Sequence, residues 1–254
     1  MKIALIQIPL VWGNPKLNRD YIEQKINTLE VDTDLVVLPE MFTTGFTMQP
    51  ERIAETMHGE TVVWMQALAK AKNCAITGSL VIIEEENYYN RLLFVFPSGA
   101  IHYYNKRHLF TLAGEDKSYT KGIQKLIIEY KGWKICPLIC YDLRFPVFAR
   151  NVEQYDLLLY VANWPTIRIQ AWDILLKSRA VENMSYTIGV NRVGKDEKKY
   201  DYSGHSQVVD FLGNYLIAPQ ETEGVFYAQL DKEALLQTRT KLGFLNDQDT
   251  FEWK

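Results

Sequence analysis

Apolar and polar positions follow two rhythms along this chain. Short unbroken runs rich in Val, Ile and Leu punctuate stretches whose apolar residues recur every three or four positions. Residues 2–8 read as a first strand and 16–29 as a helix. The run 34–38, D-L-V-V-L, has the continuous apolarity of a strand buried on both faces. Residues 61–72 place Val62, Met65, Leu68 and Ala69 on one helical face and end before Asn73. Three strands are predicted next, at 74–83, 88–96 and 101–104. The turn-forming links 84–87 and Pro97-Ser98-Gly99 make them antiparallel hairpins.

The second half continues in the same way. Residues 125–130 and 133–139 form a hairpin across Lys131-Gly132, 156–161 is a buried strand, and 169–185 is the longest helix. Strands follow at 186–190, 203–210, 215–218 and 224–229, with a turn at 211–214. With no repeat, low-complexity tract or flexible linker, the chain reads as one domain, 1–254, closed by a tail at 231–254. The first strand is not followed by a glycine-rich phosphate loop, which argues against a dinucleotide fold. Two sheets packed face to face with helices outside, an α+β arrangement, accommodate the pattern; periodicity equally allows a single mixed sheet.

Composition narrows the function classes. At 47% hydrophobic and 23% charged residues there is material for a layered core. A net charge of −3 with no basic block predicts no nucleic-acid partner. The charge runs 84–86 and 195–199 read as solvated turns. No apolar run approaches the ~18 residues that span a bilayer, so no membrane association is expected. The first nine residues are too interrupted for a signal peptide. Three cysteines, an odd count without an export signal, point to reduced thiols and a cytoplasmic location.

Three segments end an apolar run in a polar residue. In I-C-P-L-I-C-Y-D-L-R-F-P, from 135 to 146, the run stops at Cys140, and Pro146 opens a helix. A thiol at a strand-to-helix turn is fixed by the strand and faces N–H groups that favour a thiolate and an oxyanion; the alternative is a small buried hydrophobe. In L-V-V-L-P-E, Glu40 precedes the apolar Met41-Phe42-Thr43-Thr44-Gly45-Phe46, so it is expected to face a largely apolar cavity whose burial raises its pKa. Solvation or turn capping is the plainer role. Lys106 ends the strand at 101–104 and is followed by Arg107 and His108; one such cation beside a carboxylate and a thiol would stabilise an oxyanion, while surface decoration is the ordinary alternative. A Cys–His pair drawing on His58, His102, His108 or His205 stays open, and Cys136 with Cys140 lacks the second ligand pair a zinc site requires.

At these three segments the chain resembles the nitrilase superfamily, the carbon–nitrogen hydrolases, in Leu38-Pro39-Glu40-Met41-Phe42, Tyr104-Asn105-Lys106-Arg107-His108-Leu109-Phe110 and Cys140-Tyr141-Asp142-Leu143-Arg144-Phe145-Pro146. Gly114-Glu115, Arg179-Ala180-Val181-Glu182-Asn183, Gly204-His205-Ser206 and Asp210-Phe211-Leu212-Gly213 extend the likeness over nearly the whole chain. The stretches 39–46 and Ala162-Asn163-Trp164-Pro165 are similar to bacterial ω-amidases. Many other branches carry a carboxylate after Arg-Phe-Pro, where this chain has Val147.

The resemblance implies a four-layer α-β-β-α sandwich that assembles as a homodimer or larger homo-oligomer. It also implies a Glu40–Lys106–Cys140 triad assisted by Glu115, with the Tyr141 N–H on the oxyanion. The implied reaction is hydrolysis of the terminal amide of 2-oxoglutaramate or 2-oxosuccinamate by water through a Cys140 thioester, with no cofactor and no metal. Other superfamily members act on N-carbamoyl compounds or nitriles, and a non-catalytic binding protein on the same fold is a further alternative. A thiol redox protein would need a Cys-x-x-Cys pair, which is missing. Candidate substrate-binding residues are Phe42, Phe46, Asn163, Trp164, Trp172 and Arg144. An ion pair of Arg144 with Asp142 or Glu182, and ordinary core positions for the aromatics, are the competing readings.

Overall fold

The structure, a computed structural model, describes residues 1–251; positions 252–254 of the expected closing tail lie outside the described residues. Its first half runs β1 (Lys2–Gln7), α1 (Pro15–Asn27), β2 (Leu35–Val37), α2 (Glu60–Lys72), β3 (Ala75–Glu84), β4 (Asn87–Val95) and β5 (Ile101–Asn105). Then come α3 (Glu115–Ser118), β6 (Ile128–Tyr130), β7 (Trp133–Ile139), α4 (Pro146–Ala149), β8 (Leu157–Ala162), α5 (Ile169–Asn183) and β9 (Tyr186–Asn191). The chain finishes with β10 (Val193–Lys195), β11 (Asp201–Ser203), β12 (Ser206–Val209), β13 (Tyr215–Gln220), β14 (Gly224–Gln229) and α6 (Lys232–Leu242).

Local chemistry sets the helix ends. The Asn14 side chain accepts from the Leu17 N–H with Pro15 at the first helical position, which starts α1. Asn73 in a left-handed conformation stops α2. Strands order as β14-β1-β2-β3-β4-β5 in one sheet and β13-β12-β9-β8-β7-β6 in the other. The centre of each is parallel: β1–β2–β3 in the first, β7–β8–β9 in the second.

The continuous apolar runs are explained by burial on both faces. Leu35, Val37, Leu92 and Phe94 pack with Leu138, Leu158 and Val161 of the other sheet, while Val36, Leu38, Leu93 and Val95 alternate outward to meet Ile22 of α1 and Val62 and Met65 of α2. On the far side Trp172 and Leu176 of α5 lie over Gly189, where a side chain would have no room. This is an α-β-β-α sandwich, and it decides between the two sheet arrangements that periodicity allowed.

Two element boundaries differ from expectation. The single strand expected at 203–210 is broken, because Gly204 and His205 both take positive φ and a Cβ on Gly204 would strike the Gln7 amide. The charged run 195–199 is the exposed turn expected, but the short strands on either side of it pair as the β10–β11 hairpin, which the pattern left unassigned.

The sandwich buries acidic O–H and S–H groups. Desolvation raises the pKa of Tyr104, Tyr155, Tyr160 and Cys136 and takes Cys74 to about 11. Each keeps its proton in the folded chain beyond the pH at which it would lose it unfolded, about 8.5 for thiols and 10 for phenols. Their contribution is therefore complete below pH ~8.5 and is lost as pH rises, at about 1.4 kcal/mol per pH unit per ionised group. Urea midpoints under reducing conditions should stay level towards neutral pH and fall steeply from pH 9 to 10. A flat profile across that interval would contradict the sign.

Candidate active site

Four polar residues sit immediately beyond strands of the two sheets. Glu40 follows β2 and Lys106 follows β5 in the first sheet; Cys140 follows β7 and Asn163 follows β8 in the second. The facing strand ends bring them together. Lys106 Nζ donates to Glu40 Oε1 at 2.9 Å and to Glu115 Oε1 and Oε2 at 3.0 and 2.9 Å, with all three side chains fully shielded from solvent. Burial alone would push the lysine pKa down, but Glu115, Glu40 and Cys140 outweigh it and push it up, so Lys106 is an ammonium. Burial raises the Glu115 carboxyl; Lys106 opposes this and Glu40 adds to it.

Glu40 does not face the apolar cavity expected from its flanking residues. Its Oε1 also accepts from Asn90 Nδ2 at 2.8 Å, and its Oε2 accepts from the Asn163 N–H at 2.8 Å. Asn163 Nδ2 in turn donates to the Glu40 carbonyl at 2.7 Å, so this expected substrate contact is first a support for the glutamate. Asn90, which also donates to Glu115 Oε1 at 3.2 Å, escaped the sequence reading. The available signal was an amide inside a buried strand, Y-Y-N-R-L-L-F, where every unpaired polar group needs a reason.

Cys140 has φ of 43°, a left-handed conformation that a side-chain-bearing residue adopts only when its surroundings enforce it. The expected helix after it is a single turn, Pro146–Ala149, preceded by a tight 3₁₀ turn over Cys140–Arg144. The helix-terminus argument for a thiolate consequently fails. Burial raises the Cys140 pKa well above its ordinary value, Glu40 adds to this by charge and by a hydrogen bond, and Lys106 only partly offsets it. The resting group is a thiol with a carboxylate beside it to take its proton. Cys136 lies inside β7 in the core, and among the described residues no cluster of histidine, cysteine or carboxylate side chains that could hold a metal forms around the four-apart pair. His108 is engaged by Asp142 and His205 by Asp173, and the His102 ring packs on Phe96.

Asp142 holds the Cys140 turn against the lysine segment. Its Oδ2 accepts from the Ile139 N–H at 3.0 Å and the Tyr104 hydroxyl at 2.8 Å, and its Oδ1 accepts from the His108 N–H at 3.0 Å and lies 2.7 Å from His108 Nδ1. From behind, Arg179 of α5 donates to the Leu143 carbonyl at 2.6 Å. Asp142→Ala would strand several donors at a fully buried position. At about 1–3 kcal/mol for each buried group left unpaired, urea unfolding should register a loss of at least ~3 kcal/mol; a loss under 1 kcal/mol would show that the turn stands without it.

Cys140 and Lys106 open onto a cavity of about 350 Å³, walled by Phe46, Tyr141, Asn163 and Trp164 among others. Phe42 and Trp172, both expected at the pocket, are core residues instead. Phe42 is buried in the cluster beneath α2, with Trp64 at 6.2 Å, and Trp172 is buried with its Nε1 donating to the His205 carbonyl at 2.9 Å. Arg144 forms neither expected ion pair. Asp142 is saturated by the donors named above and Glu182 is taken by Arg179, so Arg144 lies over the Trp164 ring at 5.1 Å, at the cavity wall.

The wall includes further residues that the sequence reading passed over: Trp12, Phe110, Arg168 and Tyr202. Trp12 reaches the cavity because Gly45, at φ +74°, carries no Cβ; one built there would lie 2.8 Å from the indole.

Comparison with known proteins agrees with this architecture. Residues 2–240 match the carbon-nitrogen hydrolase family. The chain is 42% identical to omega-amidase YafV of Escherichia coli (strain K12) over 99% of its own length and 98% of the relative's. It is 29% identical to the 2-oxoglutaramate amidase of Bacillus subtilis (strain 168), with 96% of each chain covered. Among solved structures, a CN-hydrolase superfamily protein from Xanthomonas campestris, holding an arsenic adduct in its active site, superposes with a TM-score of 0.98 at 42% identity, covering 100% of this chain and 99% of the other. Saccharomyces cerevisiae Nit3 superposes with a TM-score of 0.85 at 26% identity, covering 95% and 94%. A family match along almost the entire chain, with relatives this similar in sequence and fold, makes the protein a member of the carbon–nitrogen hydrolases, an amidase of the nitrilase superfamily.

Proposed function

We propose that the protein is an ω-amidase that hydrolyses the terminal amide of small 2-oxo dicarboxylate monoamides, 2-oxoglutaramate and 2-oxosuccinamate, through a Cys140 thioester. The observation that carries this reading is the buried Glu40–Lys106–Glu115 network lying against Cys140 at the floor of the cavity. The names of the Escherichia coli and Bacillus subtilis relatives support the substrate class.

Each step has a group to serve it. Glu40 takes the Cys140 proton as sulfur attacks the amide carbon. The oxyanion is held by the Lys106 ammonium and by the Tyr141 N–H, one of the first amides of the turn and so without an acceptor inside it. Protonated Glu40 passes its proton to the amide nitrogen, ammonia departs, and the acyl group stays on sulfur. Water then gives a proton to Glu40 and attacks the thioester; the thiol is regenerated as the acid leaves. Glu115 positions Lys106 throughout, through two hydrogen bonds, and is itself held by the Phe110 N–H at 2.6 Å.

Ammonia release from a panel of ω-amides, N-carbamoyl amino acids and nitriles tests the assignment, with mass spectrometry of the intact chain under each substrate. The 2-oxo acid amides are expected to give the highest kcat/KM and a transient acyl mass on Cys140. Turnover of other substrates alone would remove the ω-amide assignment. No turnover and no adduct with any of them would remove the thioester mechanism as well.

A further inference from the structure

Resting on the amidase reading, we infer that Arg168 and Arg144 together form the subsite that recognises a carboxylate on the substrate, so that the enzyme selects anionic linear amides over neutral ones. The charge balance of the cavity motivates this. Lys106 is bonded to Glu40 and Glu115, each at 2.9 Å, and serves the reacting carbonyl, so a carboxylate elsewhere on the substrate needs a different cation. The other cations on the cavity wall are Arg144, Arg168 and Lys198.

The two arginines share one support. Arg144 lies over the Trp164 ring at 5.1 Å, and Trp164 Nε1 donates to the Arg168 carbonyl at 2.8 Å. The Arg168 guanidinium lies over the Phe110 ring at 5.3 Å, and the Phe110 N–H is the group that anchors Glu115. Among the described residues, neither guanidinium has a carboxylate or carbonyl partner. Each lies against an aromatic ring instead, which leaves its N–H fork available for a carboxylate. The carboxylate oxygens of Asp196, also on this wall, are occupied by the Tyr200 N–H and the Tyr202 hydroxyl, at 2.9 and 3.0 Å. Glu197 and Lys198 lie exposed at the rim, where solvent weakens them. Arg168 was invisible in the sequence because its partner ring, Phe110, is 58 positions away.

The test compares wild type, Arg168→Met, Arg168→Lys and Arg144→Met on two amides of equal length, glutaramate and neutral pentanamide. The readout is the ratio of their kcat/KM values, together with calorimetric binding of glutarate. Arg168→Met is expected to lower the glutaramate-to-pentanamide ratio at least tenfold, mainly through KM, and to weaken glutarate at least tenfold. Arg168→Lys should recover part of both, since it restores charge without the fork. Equal losses on the two amides would make Arg168 a structural residue and overturn the subsite. An unchanged ratio would do the same. Glutarate binding needs no turnover, so it decides the subsite even where wild type turns over neither amide, while the ω-amide reading stands or falls separately on the 2-oxo acid amide panel.

Discussion

Cys140→Ala is expected to lower ammonia release by roughly 10⁴-fold or more, the scale on which loss of a covalent nucleophile registers, with no acyl mass detectable on the chain. The fold should survive. The residue is only partly buried, its side chain lies at the cavity rather than in the inter-sheet core, and alanine keeps the volume close. Stability within ~1 kcal/mol of wild type is therefore expected. The two measurements separate chemistry from folding: activity within tenfold of wild type in a folded variant would mean that sulfur is not the acyl carrier. The left-handed backbone at Cys140 does not complicate the comparison, since alanine bears the same Cβ and so the same strain.

Lys106→Met should damage rate and stability together. Removing one oxyanion donor costs about 100–1,000-fold in kcat. The stability loss arises differently. Methionine fills the space but leaves Glu40 and Glu115 buried beside each other without a cation, and breaking a buried ion pair from one side costs about 3–5 kcal/mol. Glu115, whose carboxyl burial already raises, can relieve this by keeping a proton, which lifts its folded pKa further above the unfolded value of about 4.3. A raised carboxyl pKa gives stability that is complete below the unfolded pKa and is lost as pH rises through the folded one. The deficit of the variant relative to wild type should thus be larger at pH 8 than at pH 5.5, read from urea midpoints at both. A deficit independent of pH would show that the carboxylates do not feel each other once the lysine is gone.

Glu40, Lys106 and Cys140, the members of the proposed triad, stood out in the sequence because each closes a predicted strand with a charge or a thiol. Glu40 and Cys140 follow continuous apolar runs that read as buried strands, and Lys106 follows the strand of a clear hairpin; a charge or thiol at such a point is conspicuous. Helices α1 and α2 were legible for the same reason, through period and caps. What escaped depended on distance along the chain. Asn90 bonds Glu40, 50 positions away, and Asp142 bonds Tyr104, 38 positions away, so spacing along the chain names neither partner. The surroundings of Glu40 were misjudged because apolar neighbours in sequence, Met41 and Phe42, turn away into separate clusters while Asn90, Lys106 and Asn163 close around the carboxylate. Hairpin β10–β11 was lost to its own charges, and the pocket aromatics could not be told from core ones by spacing at all. The family resemblance supplied the sandwich where periodicity allowed two arrangements; it could not supply the cavity wall, where Arg144 abandons its expected partners.

Glu40 and Lys106 belong to one sheet, and Cys140 and Asn163 to the other. Acid and sulfur therefore ride on separate slabs, and the gap between them is set by how thick the apolar filling is. Trimming Leu138 or Phe94, which fill the seam between the sheets, would let the slabs settle or slide by fractions of an ångström, enough to spoil the proposed proton transfer. On the proposed mechanism, catalytic rate is thus a gauge of the seam alongside thermal melting, one reading alignment and the other filling.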